Sequence, residues 1–273
     1  MKKKAKDTQQ KPKSRKLLWG GVFLAVAAAV IVLIAYLQKP RQSPENLVQE
    51  DFAETPIIDL NKLVKTVPDK PVFPDYIPVV MYRDGTFKGM GTLLTKRNII
   101  VTCQHLFRSG SEGVWEFYEI NKEKNKEQIS GGYINTVQGF EDGSVNPDLV
   151  VCKYGPEKVI VKGFYGIRDR HVISQIVFCP KDKRETAVSV IDGSLAEIIG
   201  VIPDPEGNRP VFIIKFHGGR GLSGSGFIWR DMLLVLNAGM KGIKSNVPPD
   251  VQDSRDSMVQ VIPFHKVDLK IEK

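Results

Sequence analysis

Three short segments carry side chains that, brought together, can activate a hydroxyl for attack on a carbonyl carbon. In the first, Gly91-Thr92-Leu93-Leu94 and then Ile99-Ile100-Val101-Thr102-Cys103-Gln104 lead to His105, a histidine just beyond the end of an apolar run. The second, Asn146-Pro147-Asp148-Leu149-Val150-Val151, sets an acid at the entrance to another apolar run. The third, Gly221-Leu222-Ser223-Gly224-Ser225-Gly226, brackets a serine with glycines. A serine hydroxyl is a poor nucleophile until a neighbouring base takes its proton. An imidazole, unperturbed pKa about 6.5, accepts that proton near neutral pH and can return it to a leaving amine. A carboxylate behind the ring holds its tautomer and stabilises the imidazolium that forms. Glycines beside the serine allow a sharp turn that aims backbone N–H groups at a developing oxyanion. Each segment alone is weak, because histidines follow strands, and aspartates open them, for ordinary structural reasons. Their combination carries the signal.

The elements that must position these residues are short and β-rich. Thirteen candidate strands run from Ile77 to Phe264, among them IPVVMYR (77–83), GTLLTKR (91–97), NIIVTC (98–103), VWEFYEI (114–120), YINTVQGF (133–140) and DLVVCKY (148–154). The later set is HVISQIVF (171–178), AVSVIDG (187–193), LAEIIGVI (195–202), RPVFIIKF (209–216), SGFIW (225–229), MLLVLNAG (232–239) and MVQVIPF (258–264). Turn signals such as Asp84-Gly85 and Pro203-Asp204-Pro205-Glu206-Gly207 separate them. Helical periodicity is nearly absent, which predicts an all-β sandwich or barrel architecture. Two sets of about six strands fit a pair of small barrels, although no internal sequence repeat stands out.

VTCQH, NPDLVV and GLSGSG resemble the three motifs of the trypsin-like, chymotrypsin-fold serine peptidases, in that family's order of His, Asp and Ser. The resemblance covers roughly residues 77–270 and rests almost wholly on the motif positions. It implies two six-stranded antiparallel barrels, with His105 as general base and acid, Asp148 as its orienter and Ser223 as nucleophile. It also implies an oxyanion hole from the backbone N–H groups of Gly221 and Ser223, with Ser225 a small structural residue. His217, six residues before Ser223, falls where the family places the base of its primary specificity pocket. No aspartate lies in the Lys215–Arg220 stretch, so strict selection of lysine or arginine is not expected. No cofactor and no metal are expected, since neither the cysteines nor His171 and His265 show metal-ligand spacing.

The chain departs from the family pattern at several places. Cys103 stands where alanine is usual, Leu106 where a cysteine often follows the histidine, and Gly226 where proline is common. No Ile-Val-Gly-Gly start marks a zymogen cleavage point. Little chain follows the last strand, so no downstream PDZ module is expected. These features suggest the bacterial exported branch of the family. Cys103, Cys152 and Cys179 leave at least one thiol unpaired, and small buried thiols are the simpler reading.

The charge lies at one end. The formal net charge is +8, yet residues 1–16 hold eight basic side chains against Asp7, which leaves the remainder near neutral. A basic tail beside a neutral body argues against a nucleic-acid groove. Residues 17–37, LLWGGVFLAVAAAVIVLIAYL, contain no charged side chain. About 20 apolar residues suffice to span a hydrocarbon core of roughly 30 Å. The run is longer than a signal-peptide core and ends without a small-x-small cleavage site, so an uncleaved transmembrane anchor is expected. The basic tail places the N-terminus in the cytoplasm and the rest of the chain outside it. Prolines at 40, 44, 56, 68, 71 and 74 make residues 38–76 a semi-extended linker, with one amphipathic stretch, residues 57–64, able to dock on the domain. The expected organisation is thus a tail (1–16), an anchor (17–37), a linker (38–76) and a peptidase-like domain (77–273). Its expected partners are peptide substrates and a membrane. A second reading, from a different class, is a tethered peptide-binding protein on a protease fold that cuts weakly or not at all.

Overall fold

A computed structural model describes residues 59, 63, 65–68, 70–108, 111–120, 131–140, 148–163, 176–203, 209–216, 221–239, 247–252 and 257–265. The expected tail, the anchor at 17–37 and most of the linker lie outside these residues. Among the described residues no helix is long and apolar enough to cross a membrane. The docking stretch is described only in part. Leu63, Lys65 and Thr66 are helical, and the Leu63 N–H donates to the Asp59 carbonyl at 2.9 Å.

The strands close into two barrels, both within one compact unit, Leu47–Lys273. The first contains β1 (Tyr76–Arg83), β2 (Thr86–Leu94), β3 (Ile99–Thr102), β4 (Gly113–Glu119), β5 (Gly131–Gly139) and β6 (Val150–Gly155). Their order is β1-β2-β3-β6-β5-β4, and β4 returns to β1 with Met81 opposite Phe117. A two-residue strand, β7 (Ile160–Val161), adds to β4 outside the ring. The second barrel contains β9 (Glu185–Ser189), β10 (Leu195–Ile202), β11 (Val211–Lys215), β12 (Gly226–Trp229), β13 (Met232–Gly239) and β14 (Met258–Phe264). Its order is β9-β10-β11-β14-β13-β12, closed by β12 on β9, with β8 (Val177–Phe178) flanking β10. The topology of the first barrel therefore recurs in the second without a sequence repeat. Every pairing is antiparallel, and closure removes the exposed edges that an open sheet would leave.

Local chemistry explains the corners. Asp84 and Gly85 take φ of +48° and +75°, the left-handed pair that a two-residue hairpin between right-twisting strands requires. Thr95-Lys96-Arg97, read from sequence as the end of a strand, forms a 3-10 turn instead, ended by Asn98 at φ +52°. Strand β7 is too short to leave a sequence signal.

Burial explains why the second barrel reads as continuous apolar runs. Along β10, β11 and β13, neighbouring residues face opposite sides of the sheet, and both sides are covered. Ile199, Ile213, Leu233 and Val235 join one cluster with Leu94, Ile99, Val101, Cys103, Leu149 and Val151 of the first barrel. Ile198, Ile214, Leu234 and Leu236 join another with Met90, Leu222 and Phe227, which also receives Val67 from the segment before β1. Strand β5 buries only Ile134 fully, and Asn135, Thr136 and Gln138 make it more polar than the strands of the second barrel. The two clusters weld the barrels into a seam, and the motif residues lie at this seam.

Candidate active site

His105 is delivered by β3. Cys103 continues the strand in an extended conformation, and Gln104–Phe107 then close into a 3-10 turn. Both flanks of that turn are buried. Cys103 enters the seam cluster, while Phe107 inserts into the first barrel against Trp115, their ring centroids 4.2 Å apart. Fully burying a Phe-sized side chain contributes about 1.5–3 kcal/mol, enough to hold a short turn that has no side-chain cap. The imidazole between these anchors stays partly open, with 23% of its side-chain surface exposed.

Asp148 arrives on β6, the neighbour of β3. The register sets Thr102 opposite Val150, so the residues just past β3 and just before β6 emerge at the same end of the sheet. Asp148 is 1% exposed. Its carboxylate grips His105 twice: Oδ1 accepts the His105 backbone N–H at 2.7 Å, and Oδ2 lies 2.6 Å from the ring Nδ1. The Gln104 N–H reaches the Asp148 carbonyl at 3.4 Å, tying the two backbones as well.

Ser223 comes from the second barrel, in the turn before β12. Gly221 and Gly224 take φ of +97° and +94°. Leu222 between them is buried beside Met90 and Phe227 and fixes the turn from below. The turn is bonded across the seam: the Met90 N–H donates to the Ser223 carbonyl at 2.9 Å, and the Thr102 hydroxyl donates to the Met90 carbonyl at 2.5 Å. Ser225 is 1% exposed, with its hydroxyl on the Met90 sulfur, in keeping with a structural role. The Leu236 carbonyl accepts both the Gly224 N–H at 2.8 Å and the Cys103 thiol at 3.0 Å. One acceptor thus joins the residue after Ser223 to the residue two before His105. The Ser223 hydroxyl donates to the Asn237 carbonyl at 3.2 Å.

Gly224 is the position that tolerates a side chain least. A methyl group there would overlap the Met90 carbonyl oxygen and the Thr102 hydroxyl, on a backbone that L-residues rarely adopt. Gly224→Ala is expected to destabilise the domain by about 3 kcal/mol or more. Urea unfolding checks this, and an unchanged midpoint would contradict the placement of the turn.

Other residues singled out from sequence fall elsewhere. His217 and His171 lie outside the described residues, as do Asn146 and Pro147. His265 follows β14 and belongs to none of the three motif segments. No disulfide forms among the three cysteines. Cys152 is wholly buried in the first barrel, and burial pushes its thiol pKa up. Sequence reasoning missed Met90, Leu236 and Asn237, because they contribute mainly through backbone groups in ordinary apolar strands. Asn237 alone left a trace, as a polar residue interrupting MLLVLNAG.

The described residues thus form an all-β protein of two closed six-stranded barrels, with His105 held by the buried Asp148 in the first barrel and Ser223 on a glycine-bracketed turn of the second that is bonded to Met90 across the seam. No protein-family model matches the chain, and no curated protein matches it. Among solved structures it is similar to a kallikrein-related peptidase 10 in complex with zinc, 12% identical, over 68% of this chain and 88% of that one, with a TM-score of 0.37. It is also similar to catalytically active tobacco etch virus protease complexed with product, 13% identical, over 82% and 84% of the two chains, with a TM-score of 0.34.

Proposed function

We propose that this chain is a serine endopeptidase that hydrolyses peptide bonds through an acyl-enzyme, with His105, Asp148 and Ser223 as its catalytic triad. The observation that carries this reading is the double hold of the Asp148 carboxylate on His105. A carboxylate can only accept, so it draws the ring proton to Nδ1 and leaves the Nε2 lone pair for the serine. Ser223 leaves the Asn237 carbonyl, a neutral hydrogen bond worth about 1 kcal/mol net, and turns to the imidazole. Its oxygen attacks the scissile carbonyl as Nε2 takes the proton. The backbone N–H groups of Gly221 and Ser223 receive the oxyanion. His105 then protonates the leaving amine, and water, activated by the same ring, releases the acyl group.

The same proposal places residues 17–37 in a membrane, with the basic tail in the cytoplasm and the barrels outside on the proline-rich linker. Its support is the uncharged run and the charge asymmetry around it. His217 is the candidate for the floor of the specificity pocket, supported by its position six residues before Ser223.

The second reading, a peptide-binding protein that does not cut, draws on the Ser223 hydroxyl bonding a backbone carbonyl. A fluorophosphonate probe separates the two. The folded full chain is expected to be labelled, with the label lost in Ser223→Ala. Folded protein that takes no label would overturn the peptidase in favour of the second reading.

A further inference from the structure

The thiol of Cys103 has company that its place in sequence did not announce. Its Sγ, the His105 ring and the Asp148 carboxylate each bring one ligand atom into a cluster whose members lie within 4.8 Å of one another. Sulfur, imidazole nitrogen and carboxylate oxygen on one small patch are the donor set of zinc-like ions. Two of these side chains are buried, Cys103 at 0% and Asp148 at 1% exposed, while the His105 ring opens to the surface.

We propose that Cys103, His105 and Asp148 form a binding site for a borderline-soft divalent cation of the zinc or cadmium type, and that occupancy switches the proposed peptidase off. Inhibition rests on the triad reading, whereas the binding itself does not. The Nδ1-to-Oδ2 separation of 2.6 Å is too short for both atoms to ligate one ion, since metal–ligand bonds of about 2.0–2.3 Å in tetrahedral geometry hold donors further apart. The ring must therefore swing by a fraction of its width. Asp148 can stay in place meanwhile, because Oδ1 keeps the His105 backbone N–H. The ion enters from the open side of the ring and keeps a water as its fourth ligand. The thiol gives up its proton to solvent and its hydrogen bond to the Leu236 carbonyl. The proton on Nδ1 passes through solvent to Nε2, so the imidazole stays neutral. That tautomer cannot accept a proton from Ser223.

Cadmium is the probe, because a bound thiolate gives an ultraviolet charge-transfer band that reports coordination without any enzyme assay. The full chain in mild detergent is expected to develop this band at one ion per chain, and Ser223→Ala to develop it equally. Cys103→Ala and Cys103→Ser are expected to lose it, and His105→Ala to bind about 100-fold more weakly. Two substitutions at Cys103 guard against one that simply fails to fold. Zinc is expected to block fluorophosphonate labelling of the natural sequence, chelation to restore it, and Cys103→Ala to escape the block relative to its own metal-free labelling. A band that survives in both Cys103 variants, or an unchanged affinity in His105→Ala, would overturn the site. A band with the expected variant pattern but no labelling under any condition keeps the site and overturns the peptidase.

Discussion

Alanine at Ser223 is expected to lower peptide-bond turnover by about four to six orders of magnitude, and alanine at His105 by a similar factor. The double variant should lose little more than either single one. The proposed triad gives the reason. Asp148 holds His105 from the first barrel, while Ser223 sits on a turn of the second, bonded to Met90 across the seam. Neither residue can do chemistry alone: without the base the hydroxyl keeps its proton, and without the hydroxyl the base has nothing to activate. In the proposed mechanism, removing either one removes the whole relay. What would remain under the proposal is the help given by bound substrate and by the proposed oxyanion-hole N–H groups at Gly221 and Ser223. Single-turnover kinetics on the three variants checks this, and losses that add on a logarithmic scale would show that the two residues do not act as a unit.

The substitution Asp148→Asn is expected to lower turnover by about 10⁴-fold while leaving the fold intact. The amide nearly matches the carboxylate in size, and its oxygen can still accept the His105 backbone N–H now bonded at 2.7 Å. Its NH₂ then faces Nδ1 at the place where Oδ2 lies 2.6 Å away. Two donors cannot share that gap. Nδ1 becomes the acceptor, the ring proton moves to Nε2, and the imidazole can no longer take a proton from Ser223. Circular dichroism and the urea midpoint should stay near those of the natural sequence, and kcat should fall while KM changes little. A loss confined to KM would mean that Asp148 shapes substrate binding instead of the tautomer.

Tautomer control and the proposed cation site act on the same proton. The Asp148→Asn variant would fix it on Nε2 permanently, whereas a metal ion on Nδ1 would do so reversibly. Cys103 makes this possible by occupying a place where the smaller alanine, usual in the resembled family, has no donor atom.

Much of this arrangement was legible in local sequence. LAEIIGVI, MLLVLNAG and MVQVIPF became β10, β13 and β14 with the same bounds, because each is an apolar run closed by turn residues. The Asp84-Gly85 hairpin followed from residues that accept positive φ. The stretch after Leu94 misled, since Thr95-Lys96-Arg97 has a strand-like setting but turns at Asn98. The buried β10 and β11 gave no sign of which face met which cluster, as both faces are apolar.

The sequence by itself determined the residue types, their order and the strands that end at them: His105 past β3, Asp148 before β6 and Ser223 ahead of β12. It also determined the uncharged run at 17–37, which stays a matter of sequence because those residues lie outside the described structure. Only the tertiary structure decided that Asp148 grips His105 at both its backbone and its ring, and that Leu236 bonds Gly224 and Cys103 together. Only it showed that Cys103 shares a donor cluster with the proposed catalytic pair. The physical reason is one of range. Turns, caps and apolar runs are set by neighbours in the chain, and composition reveals them. Hydrogen bonds between residues 43 or 133 positions apart depend on how two barrels close and pack, which no local pattern encodes.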